Sequence, residues 1–325
     1  MVIFFLNWRD ISNEFLGYHE MLRYTSCMEE NNPVVSVILP AYNESVVIDR
    51  VIQRIIKTIE GVNLSYEILV IDDYSDDNTG LIAQQAGARV ITHPYNIGNG
   101  ASIKTGIRNA RGEILIMMDA DGQHPPEAIP LLLEKIGPYD MVVGARTSSS
   151  ESVFHRNIAN KIYNALATYV SGRKIEDLTS GFRAIKSQVA RNFVYLLPNK
   201  FSYPTTITLA TLRSGRSLVY IPFDAKRRIG KSKIRLLRDG IRFFLIILRI
   251  ATFYSPLKVF IPVSIFTFLL GFGYGLFKVL VMNLPYGPTS AMLMTISLVI
   301  FMVGLVSEQV AQMRFEGSEF SNMNK

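Results

Sequence analysis

Between Val34 and about Arg146, short apolar, β-branched runs alternate with stretches whose apolar residues recur at helical spacing. No other feature restricts the fold of this chain as much. The runs are Val34–Leu39, Tyr66–Ile71, Arg89–Thr92, Ile114–Met118 and Tyr139–Ala145. The helical stretches are Ser45–Ile59, Asp76–Ala86, Gly98–Ala110 and Pro125–Ile136, the last opened by prolines. Strands that are apolar throughout need helices on both faces of their sheet, which predicts an α/β fold. Ligands of such sheets bind beyond the carboxyl ends of the strands. The polar groups expected there are Tyr42-Asn43-Glu44, Asp72-Asp73, Asp119 and Asp121.

One strand end stands out. Ile114-Leu115-Ile116-Met117-Met118 stops at Asp119-Ala120-Asp121-Gly122-Gln123. Two carboxylates and a carboxamide are hard oxygen ligands suited to Mg²⁺ or Mn²⁺, and Mg²⁺ commonly shares such ligands with substrate phosphates. The other reading is an Asp-rich turn with Gly122 at its corner.

The remaining strand ends carry similar alternatives. Asn43 and Glu44 cap the next helix, or the loop with Tyr42 holds a nucleobase. The carboxylates of Asp72, Asp73, Asp76 and Asp77 cap a helix, or one of the first two faces a base or ribose. Asn96-Ile97-Gly98-Asn99-Gly100 resembles a dinucleotide fingerprint, but Ile103 stands where the third glycine belongs. A dehydrogenase is therefore disfavoured, although the glycines leave room for a ligand to approach the backbone. Arg146, Arg156, Arg227, Arg228, Lys231 and Lys233 are available to surround phosphates or anionic headgroups.

The chain of 325 residues carries a net charge of +7 and a single cysteine, Cys27, so no internal disulfide can form. Its mean hydropathy of +0.22 comes mostly from residues after 240. Residues 1–33 read as an N-terminal extension rather than a signal peptide, because Asn7, Arg9 and Asp10 interrupt the apolar start. Residues 234–256 mix Arg235, Arg238, Arg242 and Arg249 with Leu, Ile and Phe, as an amphipathic helix at a membrane interface would. Leu257–Met282 and Ala291–Val306 are apolar enough to cross a bilayer, joined by a short uncharged linker. The basic residues before Leu257 place the large domain in the cytosol. The expected organisation is extension 1–33, catalytic domain 34–233, interface helix 234–256, two transmembrane helices within 257–313 and a tail 314–325.

Taken together, Val37–Glu44, Ile71–Thr79, Asn96–Gly100, Met118–Glu127, Asp177–Arg183 and Arg227–Lys233 resemble family 2 glycosyltransferases. The branch is that of dolichyl-phosphate mannose synthases and polyprenyl-phosphate sugar transferases. The resemblance implies a GT-A fold around a mixed central sheet, followed by a two-helix membrane hairpin. It implies that Pro40, Tyr42, Glu44, Asp73 and Asp119 surround the nucleotide, and that Asp119, Asp121 and Gln123 hold Mg²⁺ or Mn²⁺ on the diphosphate. It further implies that Arg146, Arg156, Ser180, Arg227 and Lys233 lie near the donor diphosphate or the acceptor phosphate, with Asp121, Arg146 and Arg227 closest to the chemistry. The Gln-x-x-Arg-Trp motif of processive synthases is missing, since the only tryptophan is Trp8.

The implied reaction is inverting transfer of a hexose, from a donor of the GDP-mannose or UDP-glucose type, to dolichyl or undecaprenyl phosphate at the cytoplasmic membrane face. The partners are then a nucleotide sugar, a polyprenyl phosphate and the membrane, with no nucleic acid; homo-oligomerisation is left open. A membrane-anchored transferase acting on a glycolipid hydroxyl is the alternative, and would need a base such as His124, Asp121 or Asp177. The third reading is a membrane scaffold without activity.

Overall fold

The computed structural model describes residues 32–147, 154–200, 202–224, 245, 248, 251–252 and 255–323. The expected interface helix lies almost wholly outside the described residues, as do Arg227, Lys233 and most of the N-terminal extension. The described strands are β1 (Val35–Ala41), β2 (Tyr66–Asp72), β3 (Arg89–Thr92), β4 (Ile114–Met117), β5 (Met141–Arg146), β6 (Arg183–Lys186) and β7 (Leu218–Phe223). The described helices are α1 (Ile48–Glu60), α2 (Thr79–Gln85), α3 (Asn99–Asn109), α4 (Ile129–Lys135), α5 (Phe154–Ser171), α6 (Ser187–Phe193), α7 (Tyr203–Arg213), α8 (Leu257–Leu280) and α9 (Pro288–Met323).

The strands form one mixed sheet in the order β3-β2-β1-β4-β6-β5-β7. Strands β1 to β4 run parallel, β6 is antiparallel to both its neighbours β4 and β5, and β7 pairs parallel with β5. Every residue of β1 and β4 is buried, as their unbroken apolar sequences require. Helix α1 turns Ile48, Val51, Ile52, Ile55 and Ile59 into the core, a stripe at helical spacing. Strands β6 and β7 are additional to the runs read from the sequence: Arg183–Lys186 is short and charged at both ends, and Pro222 interrupts the apolar run Leu218–Phe223, which forms an edge strand.

Described residues 32–147, 180–200, 202–203 and 216–224 form one compact unit. Residues 154–179, 204–215 and 255–323 form another. The expected contiguous domain 34–233 is thus interrupted twice, because α5 and most of α7 pack within the same unit as the C-terminal helices.

In that second unit α8 packs along α9. Small residues let the two helices approach closely: a Cβ on Gly271 of α8 would meet Ser290, Leu293 and Met294 of α9, and one on Gly304 of α9 would meet Phe260 of α8. Leu257–Leu280 and Pro288–Met313 are long and apolar enough to cross a membrane, and only 17% of each apolar window is buried. A helix of a soluble core would hide far more of such a surface. Two charged groups act at the end of the pair where α8 begins. Glu308 accepts the backbone N–H of Leu257 at 3.2 Å, and Lys258 donates to the carbonyls of Tyr169 and Val170 at the end of α5. Each charge thereby satisfies backbone groups left over at a helix end.

Beneath the first sheet edge, Glu67 accepts bonds from Ser36 Oγ (2.6 Å), Arg111 N (2.6 Å) and the Arg89 guanidinium (2.7 Å). Burial alone would raise its pKa, but these donors outweigh burial and lower it. A carboxylate depressed in the folded state stabilises above the unfolded value of about 4.3, and that contribution is lost as pH falls through the folded pKa. Glu67→Gln should therefore lower stability at neutral pH and flatten its loss in acid. Urea unfolding at a series of pH values measures both.

Candidate active site

The sheet order reverses between β1 and β4, so the loops after these two strands diverge and leave a crevice between them. The registers Ile38↔Met117 and Ala41↔Asp72 bring Pro40–Tyr42, Asp73 and Asp119 to one carboxyl edge. Pro40 ends buried in β1, while Tyr42 stands at the lip with 37% of its surface exposed.

Two loops at this edge brace each other. Asn43 and Tyr74 both take left-handed backbone, with φ of 57° and 63°. Asn43 N donates to Ser75 Oγ, Glu44 N to Thr79 Oγ1 and Ser45 N to Asp77, while Asp76 N donates to Asn43 Oδ1. Burial works to raise the Asp77 pKa, but the donors Thr79 and Ser45 prevail and lower it. Asp72 is occupied locally, accepting from the backbone N–H and hydroxyl of Ser75.

Asp73 has a task that its sequence context did not reveal. Its buried carboxylate accepts the N–H groups of Ile97 (2.9 Å) and Gly98 (2.8 Å) and meets His93 Nδ1 at 2.7 Å. His93 Nε2 in turn meets Thr105 Oγ1 at 2.9 Å. Asp73 and His93 thus fix the glycine-bearing loop to the strand ends.

That loop does not offer the start of α3 to a ligand, as the glycines had led us to expect. Gly100 N and Ala101 N donate to the carbonyls of Lys200 (3.0 Å) and Asn199 (2.7 Å). A Cβ on Gly100 would lie 2.0 Å from the Pro198 carbonyl oxygen. The glycine admits another part of the chain, not a phosphate. Gly100→Ala should accordingly cost stability, by about 3 kcal/mol, through backbone overlap; thermal unfolding reads this directly.

The acidic loop after β4 is organised by His124. Asp119 N donates to His124 Nδ1 at 3.0 Å, which leaves the proton of the neutral ring on Nε2. Nε2 lies 4.0 Å from Asp119 Oδ2. The imidazole is held between Phe182, stacked at 5.5 Å, and the edge of Phe223 at 5.9 Å. Asp121 Oδ1 accepts Gln123 N at 3.1 Å, a tight turn completed by Gly122 at φ 75°. Tyr203, at the start of α7, is buried, and its hydroxyl donates to the Gly181 carbonyl at 3.3 Å. Burial first, and then the charge of Asp119, push its phenol far above the ordinary value, so it remains a donor. Arg183 is wholly buried, bonded to the Ser180 carbonyl, and lies 5.9 Å from the Tyr203 ring centroid. The sequence marked Asp119 but gave no sign that Tyr203, 84 positions on, belongs beside it.

Of the other predicted residues, Arg146 closes β5 and Ser180 is buried with Phe182 N donating to its hydroxyl. Arg156 lies in α5, with its side chain outside the described set. A divalent cation fits the donors in kind: two carboxylates and a carboxamide on one loop, with 35% of the Asp119 side chain exposed. Among the described residues no three His, Cys, Asp or Glu side chains converge to enclose an ion. The remaining ligands would have to be water and a bound oxyanion, the arrangement Mg²⁺ usually takes.

Comparison with known proteins gives the family and the fold. The chain matches the Glycosyl transferase family 2 model over residues 36–193 and the GtrB C-terminal hairpin over 255–313. Undecaprenyl-phosphate 4-deoxy-4-formamido-L-arabinose transferases of Klebsiella pneumoniae (strain 342) and Edwardsiella ictaluri (strain 93-146) are each 30% identical over 262 residues. The aligned part spans 78% of this chain and 78% of each relative. Glucosyl-3-phosphoglycerate synthase from Mycobacterium tuberculosis, solved with Mn²⁺, uridine-diphosphate and phosphoglyceric acid, superposes with a TM-score of 0.56. It is 19% identical and covers 67% of this chain and 78% of that one, which establishes the shared GT-A fold. The chain belongs to glycosyltransferase family 2, in its polyprenyl-phosphate sugar transferase branch.

A Cβ on Gly181 would meet Asp119 Oδ2 at 3.1 Å, Tyr203 Oη at 3.2 Å and His124 Cε1 at 3.4 Å. Gly181→Ala should therefore displace the Asp119 carboxylate and lower sugar transfer by about 10²-fold. The fold should be kept, because only side-chain atoms are crowded. Steady-state rates set beside a melting curve separate the two effects.

Proposed function

We propose that this protein transfers a hexose from a nucleotide sugar of the GDP-mannose or UDP-glucose type to a polyprenyl phosphate, dolichyl or undecaprenyl, with inversion at the anomeric carbon. One observation carries the reading: a single chain joins an Asp119-Ala120-Asp121 loop at the crevice of a GT-A sheet to two helices suited to a bilayer. The named relatives act with undecaprenyl phosphate and a modified L-arabinose, which supports the acceptor class and leaves the sugar to this chain's own loops. The GT-A neighbour solved with Mn²⁺ and uridine-diphosphate supports a metal-bound nucleotide donor.

Asp119, Asp121 and Gln123 would hold Mg²⁺ or Mn²⁺, which when bound offsets charge on the leaving diphosphate. The loops carrying Pro40, Tyr42 and Glu44, fixed by their bonds to Ser75, Asp77 and Thr79, would flank the base and ribose. Asp73 serves them indirectly, by holding residues 97–98. Arg146, Arg156, Ser180, Arg227 and Lys233 would receive the phosphates of donor and acceptor, whose mutual repulsion cations must offset. A phosphate monoester has a second pKa of about 6 and is mostly dianionic at neutral pH, so it attacks without a base.

The bonding of two of the three base candidates, His124 and Asp177, supports this over a hydroxyl acceptor. His124 Nδ1 already accepts the Asp119 N–H, and Asp177 accepts both the N–H and the hydroxyl of Thr179. The basic residues ahead of Leu257 favour a catalytic domain on the cytoplasmic face.

A transfer assay tests the reading. Detergent-solubilised protein, polyprenyl phosphate, Mg²⁺ or Mn²⁺ and labelled GDP- and UDP-sugars should move label into the lipid phase from one donor, and chelator should stop it. Asp121→Ala and Arg227→Ala should each lower transfer by about 10²-fold or more. Near-normal transfer by both variants would sink the proposed roles, and no transfer from any donor by folded protein would favour a hydroxyl acceptor or an inactive scaffold.

A further inference from the structure

The first unit contains a cavity of about 450 Å³ at the opposite end of the sheet from Asp119. Residues 111–114, where the chain enters β4, form one wall, and residues 186–191, where it leaves β6 into α6, form the other. Because β6 is antiparallel to β4, these two segments meet at the amino end of β4, whereas Asp119 follows its carboxyl end. The four residues of β4 separate cavity and acidic loop by about 13 Å of strand.

Among the described residues the cavity's charges are unbalanced: Arg111, Lys186 and Arg191 line it, with Asn32, against a single carboxylate, Glu113. Arg191 is held in a fixed orientation, with Nε donating to Ser187 Oγ at 3.1 Å and an Nη donating to the Ala110 carbonyl at 2.7 Å. Lys186 is 40% exposed and meets Asp140 only at 3.8 Å, a carboxylate it shares with Arg216 at 3.7 Å. Arg111 is exposed, and its backbone N–H, rather than its guanidinium, contacts Glu67. Ile114 and Ile136 supply an apolar floor. Two exposed cations beside one preset guanidinium, over an apolar surface in a cavity of ligand size, are what a phosphate ester requires.

We infer that this cavity is a second anion site, separate from the catalytic crevice, which takes a phosphate-bearing small molecule through Arg111, Lys186 and Arg191. None of the residues assigned a role in sugar transfer lines it, and nothing in the proposed reaction accounts for its charge.

Inorganic phosphate is the probe. Calorimetric titration of the full-length protein in phosphate-free detergent, with chelator present, should detect binding. R111Q/K186Q should raise the dissociation constant at least about tenfold, because each substitution removes a cation that would make a charge-assisted bond. D121A, which alters the catalytic loop, and K57Q/K174Q, which removes two exposed charges elsewhere, should leave it unchanged. Arg111 alone is exposed enough that R111Q retains the fold, and it should weaken binding in the same direction. The inference is overturned by any of four results: no binding to wild type, undiminished binding in R111Q/K186Q, equal weakening in K57Q/K174Q, or loss of binding in D121A.

Discussion

Parallel pairing of β1 with β4 is the constraint on which the rest of the catalytic unit depends. Both strands are fully buried, so a one-residue shift of either would swap side chains between two packed faces and disrupt the packing on both. With the register fixed, the loops after β1 and β2 and the acidic loop after β4 must end at the same edge. The reversal of strand order there opens the crevice. The antiparallel insertion of β6 between β4 and β5 then carries Ser180, Gly181 and Phe182 to the side of Asp119 that β1 leaves open.

Around that edge, side chains that look like ligand-binding groups spend their bonding capacity on other parts of the protein. Asp73 and His93 hold residues 97–98, and the start of α3 is covered by the carbonyls of Asn199 and Lys200. His124 gives its Nδ1 to the backbone of Asp119 and its faces to Phe182 and Phe223. The physical reason is common to all three. A buried donor or acceptor left unpaired costs about 1–3 kcal/mol, so loops carrying many such groups rigidify by pairing them internally. The outcome is a site in which a few accessible oxygens, those of Asp119, Asp121 and Gln123, stand on a pre-set frame.

The C-terminal hairpin follows a different rule. In an apolar surrounding, helices gain little from burying side chains against each other and approach closely through small residues, as α8 does at Gly271 against Ser290 and Leu293 of α9. Charge is kept to the ends. Glu308 and Lys258 answer backbone groups at one end, and Lys278 lies 5.6 Å from the Tyr274 ring near the other. This placement leaves the central turns free of charge, which is what spanning a hydrocarbon layer demands.

The sequence by itself determined the alternation of apolar strands with helices, the two spans and the carboxylate loop, because each is a local pattern: a run, a period or a spacing. Motif order across residues 37–233 was also enough to place the chain in its family. Tertiary structure decided what no local pattern encodes. Strand β6 had to enter the sheet antiparallel before Gly181 and Tyr203 could meet Asp119. The glycines at 98 and 100 read as room for a ligand, yet the Pro198–Lys200 backbone fills that room. Likewise Asp73 read as a nucleotide contact, and only the positions of Ile97, Gly98 and His93 show what its carboxylate holds. Hydrogen bonds between residues twenty to a hundred positions apart depend on how the chain returns on itself, and sequence spacing carries no record of that.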